Sequence, residues 1–147
     1  YGKISRWPFG HWLFSKAVCF KAPYFGSISP VITRLEHSRC EAVIKDRRAV
    51  HNHIGTVHAI ALCNLAELCA GVMTDASLPK DMRWIPKGMT VSYLKRAKDR
   101  MHAIATPMIP ITSTDTGYDL PVNVDVLDSS GDKVFHAEIR MWMSPRK

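Results

Sequence analysis

Residues 51–73 read HNHIGTVHAIALCNLAELCAGVM, a polar, histidine-rich loop that runs directly into a nearly all-apolar segment. The apolar segment predicts a helix over residues 57–73, roughly 25 Å long, with Thr56 as its N-cap and Gly71 near its far end. A helix that is apolar on every face must be covered on more than one side. The stretch therefore predicts a long helix enclosed by the rest of the chain.

The segments on either side of this helix alternate apolar and polar residues, as strands do when one face is buried. The clearest alternation is a hairpin in which residues 122–126 and 135–141 flank a turn at 129–132. Shorter strands are predicted at 29–36, 41–45, 89–94 and 101–106, and residues 76–88 are expected to form an irregular lid or wall of a pocket. The pattern predicts an α+β fold in which an antiparallel sheet of about six strands wraps around the helix.

The length and charge of the chain limit the number of domains and the kinds of partner that it can have. It has 147 residues, with 20 Lys and Arg against 13 Asp and Glu, and this net charge of +7 favours anionic partners. One domain over residues 1–147 is expected. The basic residues are interleaved with acids, so no nucleic acid is expected as a partner. Four cysteines without a Cys-x-x-Cys pair predict reduced thiols in a cytoplasmic protein. No apolar run is expected to be long enough, at roughly 18 residues, to span a membrane.

Residues 1–22 are expected to form a helical extension of this domain. Phe9, Trp12, Leu13 and Ala17 recur at helical spacing, which predicts a short amphipathic helix ahead of Pro23. Such a helix is expected to pack on the edge of the domain. The alternative is an anchor at a membrane surface, which the Trp and Phe side chains favour.

Glu67 is the only Asp, Glu, Lys or Arg of the predicted central helix. An ionised carboxylate is costly to bury there unless another group pairs with it or uses it. It shares one stripe of the helix with Asn64 and Gly71, and the small Gly71 leaves room beside the carboxylate for a substrate or water. One interpretation is a partly exposed residue or an ion pair with Arg34 or Arg140. The other interpretation is catalysis.

The start of the helix offers a second half of a catalytic site. Unpaired amides near His58 and Ala59 lie at the positive end of the helix dipole, where they can stabilise an oxyanion, and Asn52 offers a side-chain amide. Glu67 lies eight residues beyond Ala59, about 12 Å along the axis, so the two cannot contact one carbonyl within one chain. Two helices packed antiparallel bring them together, which predicts two composite sites in a homodimer.

The residues Asn52, Gly55 and His58, in the pattern Asn-x-x-Gly-x-x-His, are followed nine residues after the histidine by Glu67. This pattern resembles the hotdog-fold acyl-CoA thioesterases, especially the phenylacetate-degradation subgroup and a related group of uncharacterised thioesterase-like proteins. The resemblance covers most of the chain, and it implies a hotdog fold over residues 29–143. It also implies that the chain is an enzyme, an acyl-CoA thioesterase, and works as a homodimer or a dimer of dimers.

The resemblance assigns roles to individual residues. Glu67 matches the catalytic acid, as nucleophile or as general base for water, and Asn52 matches the amide-bearing residue of the preceding loop. The backbone N–H of Ala59, just after His58, matches the donor that polarises the thioester carbonyl. Basic side chains would lie near the phosphates of coenzyme A, a role for which Lys95, Arg96 and Arg100 are candidates. Coenzyme A is part of the substrate, and no separate cofactor is expected.

Three positions depart from the pattern of these relatives. Many relatives have His-Gly-Gly at the helix start, whereas this chain has His58-Ala59-Ile60, and Gly71 stands where a Ser or Thr often positions water. The alternative function is therefore a non-catalytic module that binds acyl-CoA or an acyl chain.

Two further expectations concern ligands. His51, His53 and His58 are ligand types suited to zinc, but Glu67 lies too far along the helix to join them within one chain, so no metal site is expected. Trp84, Met89 and Tyr93 are expected to line an apolar acyl pocket.

Overall fold

Six antiparallel strands form one sheet in the computed structural model, which describes residues 1–3 and 5–146. In chain order the elements are α1 (Gly10–Lys21), β1 (Val31–Glu36), β2 (Arg39–Ile44), α2 (Ala59–Ser77), β3 (Met82–Tyr93), β4 (Met101–Pro107), β5 (Tyr118–Leu127) and β6 (Lys133–Pro145). The order across the sheet is β1-β2-β4-β5-β6-β3, so β1 and β3 are its edges. Helix α2 packs against one face of all six strands. The predicted α+β hotdog fold is confirmed.

The core lies between α2 and the sheet. Alternate residues of β4, β5 and β6 are buried, as a sheet with one covered face requires. Small side chains at Ala42, Ala103 and Ala105 on neighbouring strands let the helix approach the sheet closely. The Sγ of Cys69, in the middle of α2, lies 3.2 Å from the carbonyl oxygen of Cys40 on β2. The apolar character of α2 is explained by this close enclosure.

Helix α2 begins two residues later and ends four residues later than the sequence predicts. Two backbone hydrogen bonds keep the preceding residues outside the helix, since the Val57 N–H donates to Ala97 at 2.9 Å and the His58 N–H donates to Val50 at 2.8 Å. Gly71 lies inside the helix and does not end it. The chain leaves the helix at Leu78, whose extended backbone is the conformation that a residue before a proline prefers.

By length and composition α2 is able to cross a membrane, so the expectation that no apolar run is long enough was wrong. In the structure slightly more than half of its apolar window is buried against the rest of the chain. Its apolar face is therefore used as the core of the sheet. The four cysteines are free thiols, of which Cys40 and Cys69 are buried, and the compartment of the protein stays a prediction.

Residues 82–88 are not the irregular connection that the sequence suggested. They form the first half of β3, a 12-residue edge strand paired to β6 along its whole length. Pro86 is tolerated because it lies on an edge strand, where the register shifts between Pro86 and Gly88. Most of β3 is exposed on both faces. This edge of the sheet is left uncovered by the described part of the chain.

Helix α1 covers the other edge. Ser15 accepts a hydrogen bond from the Ile32 N–H at 2.8 Å, and the Nδ1 of His11 lies 3.2 Å from the Ile32 carbonyl, which can only accept. The hydroxyl of Tyr1 donates to the carbonyl of Thr33 at 2.8 Å. Three backbone groups near the start of β1 are thereby satisfied, which hinders pairing of this part of the edge with another chain.

The helix predicted before Pro23 is present, but the apolar stripe that the sequence indicated faces outward. The residues buried against the body are Gly10 and Ser15, whereas the apolar residues that define the predicted pattern are exposed. That set is Phe9, Trp12, Leu13 and Ala17. Packing on the edge of the sheet therefore combines Ser15, which is hydrogen-bonded to β1, with the partly buried Phe14 and Val18, which pack against the core.

Candidate active site

The loop ahead of α2 is held in shape by Asn52. Its Oδ1 accepts from the backbone N–H groups of Ile54 and Thr56, both at 3.1 Å, and its Nδ2 donates to the Thr56 hydroxyl at 2.8 Å. Gly55 takes the left-handed conformation, with φ of 75°, that this tight turn needs. Asn52 therefore organises the turn, and one of its amide hydrogens remains for a substrate.

The cap of α2 is His58, not Thr56 as the sequence suggested. The hydroxyl of Thr56 is engaged by Asn52, whereas the Nδ1 of His58 accepts from the Ile60 N–H at 3.0 Å. The Ala61 N–H donates to the His58 carbonyl. Within residues 1–3 and 5–146, no group accepts a hydrogen bond from the N–H of Ala59. The first turn of α2 thus presents one unused amide at the positive end of the helix.

A basic loop, residues 94–100, lies beside this helix start. Besides the Val57–Ala97 hydrogen bond, the carboxylate of Asp46 joins the two loops by contacting both His51 and the N–H of Asp99. The hydrogen bond from His51 holds the pKa of the Asp46 carboxyl below its ordinary value. The structure therefore brings the predicted coenzyme A contacts next to the predicted oxyanion site.

The three candidate cations of this loop are not equivalent. Lys95 forms an ion pair with Asp132 at 2.8 Å, and this hydrogen bond raises the pKa of the lysine. Arg96 and Arg100 are exposed and form no ion pair with the described residues. These two arginines therefore keep an unpaired charge among the described residues, whereas Asp132 offsets part of the lysine charge.

Glu67 is exposed in the single chain, which corrects the view of it as a carboxylate stranded inside the helix. It forms no ion pair with either of the arginines considered. Arg34 is engaged by Glu36 at 2.9 Å, and the side chain of Arg140 lies over the backbone of Gly88. In the described part of the chain, Glu67 has no hydrogen-bond or ionic partner. Its carboxylate is therefore available for chemistry.

Glu67 lies in the wall of a cleft of about 860 Å³. The cleft is bordered by α1, α2 and the edge strands, and its apolar lining includes Phe14, Val18, Phe25, Leu35, Val72 and Trp84. Its volume falls within the range of clefts that bind small organic ligands. Of the three predicted lining residues, Trp84 borders the cleft, whereas Met89 and Tyr93 lie on the exposed part of β3 and do not.

Sequence reasoning missed the contribution of the first 25 residues to this cleft. Phe14 and Val18 are one helical turn apart, and they line the cleft together with Phe25. Their spacing was a usable signal, but it was hidden by the stronger pattern of Trp12 and Leu13. Which of two apolar stripes faces inward depends on the edge of β1, and the sequence does not show where that edge lies.

The two halves of the predicted site open into different clefts of the same chain. His58 and Ile60 border a second, smaller cleft of about 200 Å³, whereas Glu67 and Gly71 border the large one. Asn64, on the same stripe, is buried, and its Nδ2 lies 3.3 Å from the hydroxyl of Ser27. One chain does not bring the helix-start amide and Glu67 to one point.

The histidines of the loop do not gather around a metal position. His51 contacts Asp46, and His58 caps the helix. No group of three or more His, Cys, Asp or Glu side chains within residues 1–3 and 5–146 has the geometry to hold a metal ion.

Comparison with known proteins finds a matching family and a solved structure of similar fold. Residues 10–143 match the family described as "Domain of unknown function (DUF4442)". A crystal structure described only as "genomics APC5556" is 46% identical, with a TM-score of 0.82 over 90% of this chain and 88% of that one. No curated protein is significantly similar in sequence.

Two solved structures with low identity share the same architecture. A thioesterase from Haemophilus influenzae is 12% identical, with a TM-score of 0.75 over 88% of this chain and 87% of that one. A protein of unknown function from Pseudomonas aeruginosa, described as a probable thioesterase, is 18% identical, with a TM-score of 0.79 over 91% and 95%. At these identities the likeness shows the fold alone.

Proposed function

We propose that this chain, which belongs to the DUF4442 family, is a thioesterase that hydrolyses a coenzyme A thioester with an apolar acyl group. The observation that carries the proposal is Glu67, an exposed carboxylate without a partner in the described chain, in the wall of a large apolar cleft. The apolar lining suits an acyl chain, and the carboxylate supplies the reactive group.

The proposed reaction uses groups from two subunits. The N–H of Ala59 donates to the thioester carbonyl and stabilises the oxyanion that forms when the carbonyl carbon is attacked. Glu67 of the partner subunit either attacks this carbon itself or takes a proton from the attacking water. When Glu67 attacks, the carbon–sulfur bond breaks to leave a mixed anhydride with Glu67, which water hydrolyses to the carboxylic acid and the restored carboxylate. When Glu67 acts as the base, the attacking water adds to the carbon, and the tetrahedral intermediate expels the thiolate directly. In both routes the thiolate of coenzyme A leaves with a proton that derives from this water. Asn52 orients the reacting groups by holding the loop and offering its remaining amide hydrogen.

A homodimer is proposed because each chain alone is incomplete. Ala59 and Glu67 are about 12 Å apart along α2 and border separate clefts. The two edges of the sheet also differ, since α1 covers β1 while β3 leaves a 12-residue edge open. A long uncovered edge strand favours pairing with another chain. A second copy packed along β3 and α2 supports two composite sites related by a two-fold axis.

The basic loop is proposed to bind the phosphates of coenzyme A. Arg96 and Arg100 are exposed cations that lie on the loop tied to the start of α2. Arginine suits phosphate because its planar group donates two parallel hydrogen bonds. Lys95 contributes charge to the same surface. No separate cofactor enters the proposed reaction, and a cytoplasmic site of action is part of the proposal.

One feature favours a second candidate function, a non-catalytic module that binds acyl-CoA. The position one turn after Glu67 is Gly71, which has no hydroxyl to position water, and the indole of Trp84 lies against it. Water must then be oriented by Glu67 and the helix start alone. A protein that only binds would keep the cleft and the basic loop but show no turnover.

The test is hydrolysis of a panel of acyl-CoA thioesters, followed by release of the free thiol. We expect turnover by the wild-type homodimer and a loss of at least about 1,000-fold in Glu67→Gln, which keeps the size of the side chain and removes its charge. The matched control is Glu138→Gln, because Glu138 is an exposed carboxylate on the outer face of β6. Binding of acyl-CoA without turnover in either protein would support the second candidate.

A further inference from the structure

Helix α1 directs Trp12, Leu13 and Phe20 away from the rest of the molecule, while Phe14 and Val18 face the large cleft. Gly10 and Ser15 face the body, whereas Trp12, Leu13 and Phe20 have 53%, 53% and 91% of their surface exposed. A helix that packs on a core normally does the opposite, because burying apolar surface stabilises the fold. The outward face of α1 is therefore not explained by the packing of this chain.

The exposed apolar surface continues on both sides of the helix. We use the term aromatic face for Trp7, Phe9, Trp12, Leu13, Phe20 and Tyr24, which are each at least half exposed. Isolated exposed apolar residues are ordinary on protein surfaces, but a group of this size within 18 residues marks a surface that binds something apolar.

The same segment is purely cationic. Residues 1–35 contain no Asp or Glu, and the first acid of the sequence is Glu36. Lys3, Arg6 and Lys16 form no ion pair with any described residue. Lys21 is likewise unpaired among the described residues, but it borders the large cleft. Trp12, Lys16 and Phe20 are spaced four residues apart and share one face of the helix, where the Nζ of Lys16 lies 5.6 Å from the centre of the Trp12 ring.

We propose that residues 1–28 bind the surface of an anionic phospholipid bilayer, with the aromatic face in the interface and the cations on the headgroups. Exposed Trp and Phe beside Lys and Arg is the composition of helices that lie in the membrane interface. Each cation near an anionic leaflet adds to the attraction. A second copy of this face is a poor occupant, because a two-fold contact would bring these cations together without any acid between them.

This arrangement places the bilayer on one side of α1 and the large cleft on the other. Phe14 and Val18 line the cleft from the inward face, while Trp12 and Phe20 lie on the outward face. The proposed surface is therefore separate from Glu67 and from the open edge of β3. Membrane binding is expected whether or not the chain hydrolyses a thioester.

The test is flotation of the full chain with vesicles of phosphatidylcholine alone or of an equimolar mixture with phosphatidylglycerol. We expect binding only to the anionic vesicles, and a loss of at least about tenfold in the double variant Trp12→Ser and Leu13→Ser. The matched control replaces Met108 and Ile109 by serine, since both are exposed apolar residues outside the segment. Thermal unfolding checks that each variant is folded.

A second pair of variants tests the charges and keeps the proposal falsifiable if the first pair fails to fold. Arg6→Glu with Lys16→Glu is expected to weaken binding about 20-fold or more, whereas Lys45→Glu with Lys80→Glu, which changes the net charge equally, is expected to leave it within about twofold. Equal losses of vesicle binding in these two double variants would overturn the proposal. So would absence of binding to anionic vesicles, or a change from a larger to a smaller oligomer in the Trp12 and Leu13 variant.

Discussion

Gly71 lies directly against the indole of Trp84. A β carbon at position 71 would lie 3.2 Å from the Cη2 of Trp84, closer than side chains normally pack. The indole is held in place because its Nε1–H donates to Asp75 at 2.7 Å. The space beside position 71 is therefore occupied by an aromatic ring that also lines the large cleft.

This contact predicts a coupling between the two residues. Alanine is about 1 kcal/mol better than glycine inside a helix, so Gly71→Ala should stabilise the protein if nothing crowds the new methyl group. We expect little or no gain in the wild-type background and a gain of about 1 kcal/mol in Trp84→Phe, whose smaller ring frees the space. Urea unfolding of the four proteins measures this difference, and equal effects of Gly71→Ala in both backgrounds would contradict it.

His58 is expected to affect the reaction indirectly, by holding the first turn of α2 in place. Because its Nδ1 caps the Ile60 N–H, His58→Ala should lower the free energy of unfolding by about 1 kcal/mol and slow turnover as the first turn frays. His58→Asn keeps a capping oxygen and should restore both quantities. Stability is read from urea unfolding and the turnover rate from thiol release. If Asn restores stability but not turnover, the imidazole takes part in the chemistry itself.

The proposed role of the Ala59 amide is tested by Ala59→Pro, which removes the N–H. Proline is well accepted at the first position of a helix, and His58 already has the extended backbone, with φ of −66° and ψ of 139°, that a residue before proline adopts. We expect the unfolding free energy to stay within about 0.5 kcal/mol of the wild type, while turnover slows by about two to three orders of magnitude. Unchanged turnover would remove Ala59 from the mechanism.

Mixing two inactive variants tests whether the site is shared between subunits. In a heterodimer of Ala59→Pro and Glu67→Ala, one site receives an intact amide from one chain and an intact carboxylate from the other. After refolding a one-to-one mixture, we expect about a quarter of wild-type activity, because half of the dimers are mixed and each has one intact site. A site built within a single chain would stay inactive in every combination.

The contacts of Asp46 with His51 and with the basic loop predict that the stability of the protein depends on pH. The hydrogen bond from His51 and the contact with the Asp99 N–H lower the pKa of Asp46 in the folded chain, below its ordinary value of 3.8. The stabilisation is therefore present above pH 3.8 and is lost as the pH falls through the lower folded pKa. Because the pair is near the surface, we expect Asp46→Asn to cost at most about 0.5 kcal/mol at neutral pH.

Urea unfolding of wild type and Asp46→Asn across this acid range measures the effect. The difference between the two proteins should shrink as the pH falls below 3.8. A difference that stays constant through this range would mean that the charge of Asp46 does not hold the two loops together.

Local patterns in the sequence were enough to predict much of this structure. The apolar run from Ala59 to Met73 required a covered helix, because that much apolar surface is not left in water. The alternation around the turn at 129–132 required a hairpin with one buried face, because side chains on a strand point to opposite sides. Glu67 was identifiable because a single carboxylate in such a helix is conspicuous.

Only the tertiary structure decided which groups face one another. The sequence contains two apolar stripes on α1, and the unpaired backbone of β1 selected the one with Ser15 for the inside, since an edge needs hydrogen-bond partners. A long-range hydrogen bond to Ala97, together with a nearer one to Val50, likewise moved the start of α2 to Ala59. Such contacts join residues far apart in the chain, so no local pattern encodes them, and they set where the amide, the carboxylate and the aromatic face lie.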